Sequence, residues 1–124
     1  MITEDYVSFE VAKLLKEKGF NEKLLTFYIT DEAKKEGCFQ LMAFTDDKID
    51  NNHSDHCYLA PTLQMARKWL RKVHSIDISI IPLRSHKEYL PRIESDTISH
   101  DAIPCKEHEE AAEAAIKYCL ENLI

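Results

Sequence analysis

Glycine is almost missing from this chain. Among 124 residues there are two, Gly19 and Gly37. Loops that cradle phosphate need several closely spaced glycines so that the backbone can approach the ligand. Neither a P-loop nor a dinucleotide fingerprint can be drawn, and no cofactor is expected. Long apolar runs are missing too. None approaches the ~20 residues of a membrane span, so a membrane partner is not expected. An excess of positive charge is also lacking. Sixteen Lys and Arg stand against 22 Asp and Glu, a net charge of −6, which disfavours general attraction to nucleic acid or anionic membrane. The opening MITEDYVSF is acidic and has no signal-peptide pattern, so a cytoplasmic location is the expectation. In that setting Cys38, Cys57, Cys105 and Cys119 are expected as reduced thiols rather than disulfides.

What is present is an ordinary apolar and charged balance, 44% and 31%. It is enough to build a core in one domain over residues 1–124 without metal or disulfide. The clearest stretch is Pro61 to Ile81. On a helical wheel Leu63, Ala66, Trp69, Leu70 and Val73 share one arc, with Met65 at its border. Pro61 suits the first helical turn and Thr62 competes as N-cap. The helix should end near His74 or Ser75. Ile76 to Ile81 then alternates as a strand, which Pro82 should close.

The other elements are read around that pair. A first helix runs from about Ser8 to Lys18, capped by Ser8 and ended by Gly19, with Phe20 folded back onto its last turn. Lys13, Lys16, Glu17 and Lys18 should face solvent. Leu24 to Thr30 and Cys38 to Phe44 read as an antiparallel hairpin. Residues 45–57 form a polar loop, expected to be the most mobile segment. Glu88 to Glu94 is a weaker strand, and Pro91 within it argues for an edge position. Residues 95–106 form a second long loop. Glu107 to Leu123 is the last helix, with Ala111, Ala112, Ala115, Ile116, Cys119, Leu120 and Leu123 at helical spacing. The order α-β-β-α-β-β-α predicts an α+β fold. A mainly antiparallel four-stranded sheet should carry the helices on one face.

Three clusters could carry chemistry. The basic face Arg67, Lys68, Arg71 and Lys72 places four positive charges on one helix of an acidic protein. Such a stripe is first of all a solvated helix face. As a contact it suits an acidic protein surface, including the Glu-rich last helix of a second copy in a homodimer. Phosphates of nucleic acid are the less favoured ligand. The HSDHC run offers His53, His56 and Cys57, with Asp55, as zinc-competent ligands that Cys38 or Cys105 could complete, although the spacing fits no common zinc pattern. A thiol of Cys57 beside His74, His86 or His100 would be needed for Cys–His catalysis. Taken together, these features make a non-catalytic interaction protein the expected function. Its surface would combine the basic helix face with the strand edge near Pro91.

The segments ITEDYVSFEVAKLLKEKGF, APTLQMARKWLRKVH and EAAIKYCLENLI resemble those of small uncharacterised proteins from gut anaerobe genomes and their prophages. The resemblance covers both ends and the central helix. It implies a phage or mobile-element context and assigns no role to any residue.

Overall fold

The structure, a computed structural model, describes residues 5–30, 39–43, 48–52 and 55–124, with residues 39–43 described by their backbone. The chain divides into two compact units. One spans Tyr6–Thr62. The other comprises Leu63–Ile124 and also takes in Asp5, whose carbonyl accepts a hydrogen bond from Leu63 N–H at 2.9 Å.

In the first unit, helix α1 (Phe9–Glu17) starts at an extended Ser8, whose hydroxyl accepts from Val11 N–H at 3.3 Å. It ends as its sequence predicts. Gly19 sits at φ 90°, its N–H donates to the Lys16 carbonyl, and Phe20 N–H reaches back to Leu15 at 2.9 Å. Those two bonds satisfy carbonyls that the helix end would otherwise leave open. Phe20 is fully buried.

Strand β1 (Thr26–Thr30) lies between β2 (Phe39–Ala43) and β3 (Cys57–Leu59), antiparallel to both. The β1–β2 pairing is the expected hairpin; its connection lies outside the described residues. Tyr28 and Tyr58 face each other across β1 and β3, and both rings meet Phe9 edge-on at 5.7 and 5.3 Å. Lys16 is half-buried rather than free in solvent. Its Nζ sits 4.6 Å from the centre of the Tyr58 ring and donates to the Cys57 carbonyl at 2.8 Å. A long aliphatic stem lets a lysine cover an aromatic ring in this way.

The polar run expected as a mobile loop is partly tied down. Leu24 and Ile49 exchange two backbone bonds of 2.9 Å. Asn51 is buried and uses both ends of its amide: Nδ2 donates to the Phe20 carbonyl at 2.6 Å and Oδ1 accepts from Leu59 N–H at 3.0 Å. Its own N–H donates to Asn21 Oδ1 at 2.8 Å. A buried amide is tolerated only when satisfied like this.

In the second unit, α2 (Leu63–His74) starts two residues later than Pro61; that proline is buried outside the helix and its carbonyl accepts from Val7 N–H within the first unit. Ala66, Trp69 and Leu70 are buried as the wheel requires, but Val73 is 56% exposed. It lies on the apolar arc at the last turn of the helix. Ser75 then turns the chain at φ 56°.

The second sheet runs in the order β4 (Asp77–Leu83), β5 (Glu88–Glu94), β6 (Ser99–Asp101), all antiparallel. The described strands therefore form two three-stranded sheets, and the expected single four-stranded sheet is not seen. The mixed α+β class and the antiparallel pairing stand. Strand β6 lies within the stretch read as a loop. Its entry turn is closed by Ser95, which bonds Ile98 through both backbone and hydroxyl.

Pro91 is not at an edge. It lies in the central strand, fully buried and opposite Ile80. The reason is the alternation of backbone groups. The Pro91 carbonyl accepts from Ala102 N–H at 2.9 Å, so its missing N–H faces β6 and not β4. Strand β6 stops at Asp101, beside that position. Pairing resumes only at Tyr89 and Cys105, which exchange bonds of 2.7 and 2.9 Å. The same alternation lets β4 run through Pro82 instead of closing there. Opposite Tyr89, whose backbone groups face Cys105, Pro82 directs its missing N–H to the outer side of an edge strand.

The inner face of this sheet carries Ile78 paired with Ile93, both buried. Helix α3 (His108–Asn122) packs on β4 and β5 and against α2. Ala111, Ala112, Ala115, Ile116, Cys119 and Leu120 form its buried stripe. Three alanines allow close approach of the backbone, and Tyr118 stacks on His100 with ring centres 4.4 Å apart.

Candidate functional site

The four cations of α2 do not form one equivalent row. Arg67 is half-buried, and its Nη2 donates to the Ile78 carbonyl at 2.8 Å. That carbonyl points outward from β4, because Ile93 opposite it bonds towards β6. Arg67 thus closes part of an open sheet edge. Burial, and then the charge of Arg71, hold its pKa below the ordinary arginine value. Lys68, Arg71 and Lys72 are exposed. Lys68 and Arg71 share with Arg67 one wall of a cleft enclosing about 400 Å³. Lys72 lies further round the helix and is not among the lining residues.

The opposite wall comes from the start of α3. His108, Glu109 and Ala112 line it, and Asp5 also borders the cleft. The His108 ring meets Tyr89 edge-on at 5.7 Å. Glu107 occupies the N-cap position without a side-chain bond to the helix. Among the described residues, Lys68, Arg71 and Glu109 have no ion-pair partner although all three line one cleft. The arrangement leaves cations and carboxylates side by side, and both available to a ligand. Asp5 and His108 carry no sequence signal as site residues, and Glu109 is legible only as part of the Glu-rich last helix. His108 and Glu109 enter through the packing of α3 beside α2, and Asp5 through its bond to Leu63 N–H at the start of α2.

The HSDHC cluster is not assembled as a site by what is described. His53 lies outside the described residues, as does Cys38. His56 and Cys57 follow Thr30 and Ile29 along the β1–β3 pairing, so their side chains leave opposite faces of the strand. Cys57 is buried. Among the described residues no group of three or more His, Cys, Asp or Glu is placed to hold a metal ion.

The remaining thiols and imidazoles have structural surroundings. Burial pushes the Cys119 thiol up to about 12. Cys105 is also raised, by desolvation first and then by Glu110 and Glu88. His86 Nδ1 lies 3.1 Å from the Ser85 hydroxyl, and His74 meets Trp69 edge-on at 4.8 Å. No helix among the described residues is long and apolar enough to cross a membrane.

The chain is thus an α+β protein with a mixed-charge cleft between two helices. It matches no protein-family model, no curated protein and no solved structure.

Proposed function

We propose that this is a non-catalytic interaction protein that holds an acidic surface of a protein partner through the outer face of α2. The observation that carries the reading is the pair Lys68 and Arg71, exposed and without ion-pair partners among the described residues, beside an anchored Arg67. A rigid helix presenting unneutralised cations attracts carboxylates and fixes the register of a partner. The presence of Asp5 and Glu109 in the same cleft favours protein over nucleic acid, because a continuous phosphate backbone would meet repulsion there. The resemblance to gut-anaerobe and prophage proteins suggests the setting, the cytoplasm of a host that carries the mobile element.

The edge near Pro91 has no part in this surface, since β5 is the central strand of its sheet. The test is capture from the host at low and high salt, with protein and nucleic acid both assayed in the eluate. A protein partner is expected that is lost in the double variant K68E/R71E and weakened by salt. Recovery of nucleic acid in its place, or capture indifferent to the charge reversal, would reject the reading.

A further inference from the structure

We infer that the cleft between α2 and α3 is completed by the same cleft of a second copy, with Lys68 and Arg71 of one chain pairing with Glu109 of the other across a two-fold axis. This rests on the reading of α2 as a contact surface and names the partner. The argument starts from what a two-fold interface requires. The same patch must meet itself, so it must carry both members of every pair. A row of cations alone repels its own copy; a row beside carboxylates does not. Here Lys68 and Arg71 lie on one wall of the cleft and Glu109 on the other. All three are exposed, and none finds an ion-pair partner among the described residues of its own chain. Rotation by 180° about an axis through the cleft exchanges the walls and brings each sign against its opposite, twice.

Size and charge set the strength. Helix α2 has 12 residues, about 18 Å in length, and two adjacent helices are about 20 Å wide. The patch is therefore roughly 400 Å², about half of what each partner gives to a standard stable interface. The net charge of −6 on each copy opposes approach at long range. The dimer is accordingly weak and reversible, and sensitive to salt.

Sedimentation equilibrium of the untagged full chain, from roughly 20 to 500 µM, covers the affinity range that follows. The wild type is expected to show a monomer–dimer equilibrium in about 0.1 M salt, weakened about tenfold or more in about 0.5 M. K68E/R71E alone and E109K alone should each be monomeric, with circular dichroism unchanged. Mixed in equal amounts they should pair, because the reversal restores both sets of contacts. A wild type monomeric throughout, a dimer indifferent to both reversals, or a mixture that fails to pair would overturn the proposal. If the wild type is monomeric while another protein is captured in a charge-dependent way, self-association is rejected and the α2 surface remains.

Discussion

The two compact units close three-stranded antiparallel sheets by different means. The unit of β4, β5 and β6 relies on apolar matching, with Ile78 and Ile93 beneath a stripe of small and aliphatic side chains on α3. The unit of β1, β2 and β3 relies at a decisive point on one polar side chain. The Asn51 side chain joins the chain after α1 to β3 with two hydrogen bonds, and its backbone N–H adds a third to Asn21. Even the helix ends differ. Helix α1 stops on Gly19 at φ 90°, whereas α2 stops on Ser75 at φ 56°. The contrast teaches where each unit is fragile. Apolar packing fails by volume, and a polar staple fails by leaving partners behind.

The largest effect should come from the apolar unit. Trp69→Ala removes a buried indole and should cost about 3–5 kcal/mol, read as a lowered urea midpoint. A loss below about 1 kcal/mol would mean that Trp69 is not a core residue and would break the contrast. Next is Asn51→Leu, similar in volume but without donors or acceptors. It leaves the Phe20 carbonyl and Leu59 N–H unpaired, at about 1–3 kcal/mol for each group. Hydrogen exchange at Leu59 should rise markedly. An unchanged rate would show that water replaces the amide without penalty.

The helix ends give a smaller pair of opposite sign. A Cβ at Gly19 would meet no atom within 4 Å, so Gly19→Ala isolates the cost of the left-handed backbone, about 1–2 kcal/mol. Ser75→Gly relieves the same kind of strain and should stabilise by up to about 1 kcal/mol in thermal melts. Equal signs for the two would contradict the positive φ at one of them.

The smallest effect concerns the exposed pair of Arg92 Nε and Asp101 at 2.8 Å. The hydrogen bond from Arg92 is the main cause that holds the Asp101 carboxyl below its ordinary value of 3.8. A depressed folded value means that the contribution is present above the unfolded pKa and is lost as pH falls through the folded one. Wild type and Arg92→Gln should therefore differ slightly near neutral pH, and their stability curves should converge below about pH 4. A constant offset through the acid range would exclude the pair as its source.

The same contrast explains what could be read from the sequence. Alternation and helical spacing are local signals, and they located α1, β1, β2, α2, β5 and α3 to within a residue or two. The Gly19–Phe20 ending was legible because its chemistry is confined to one turn. Strand β6, Ser-His-Asp, has no apolar alternation to announce it, and the three residues of β3 are too few for a period. Pro91 misled because the usual rule asks whether a strand contains proline. The structure shows that what matters is which neighbour its missing N–H faces. At the candidate site, the cations of α2 were visible from their spacing. The burial of Arg67 and the approach of Glu109 depend on β4 and α3, which lie far away in the chain.

The prolines of the second sheet have a consequence for growth. A sheet is a polymer of strands, and an open edge is its growing end. Along β4, Arg67 occupies the Ile78 carbonyl and Pro82 offers no donor. On the far side β6 is three residues long, stopped beside Pro91. Both ends of this polymer carry a terminator. A crowded solution of the chain therefore has little means of elongating this sheet from molecule to molecule. Edge-to-edge pairing of this sheet is opposed on both of its sides.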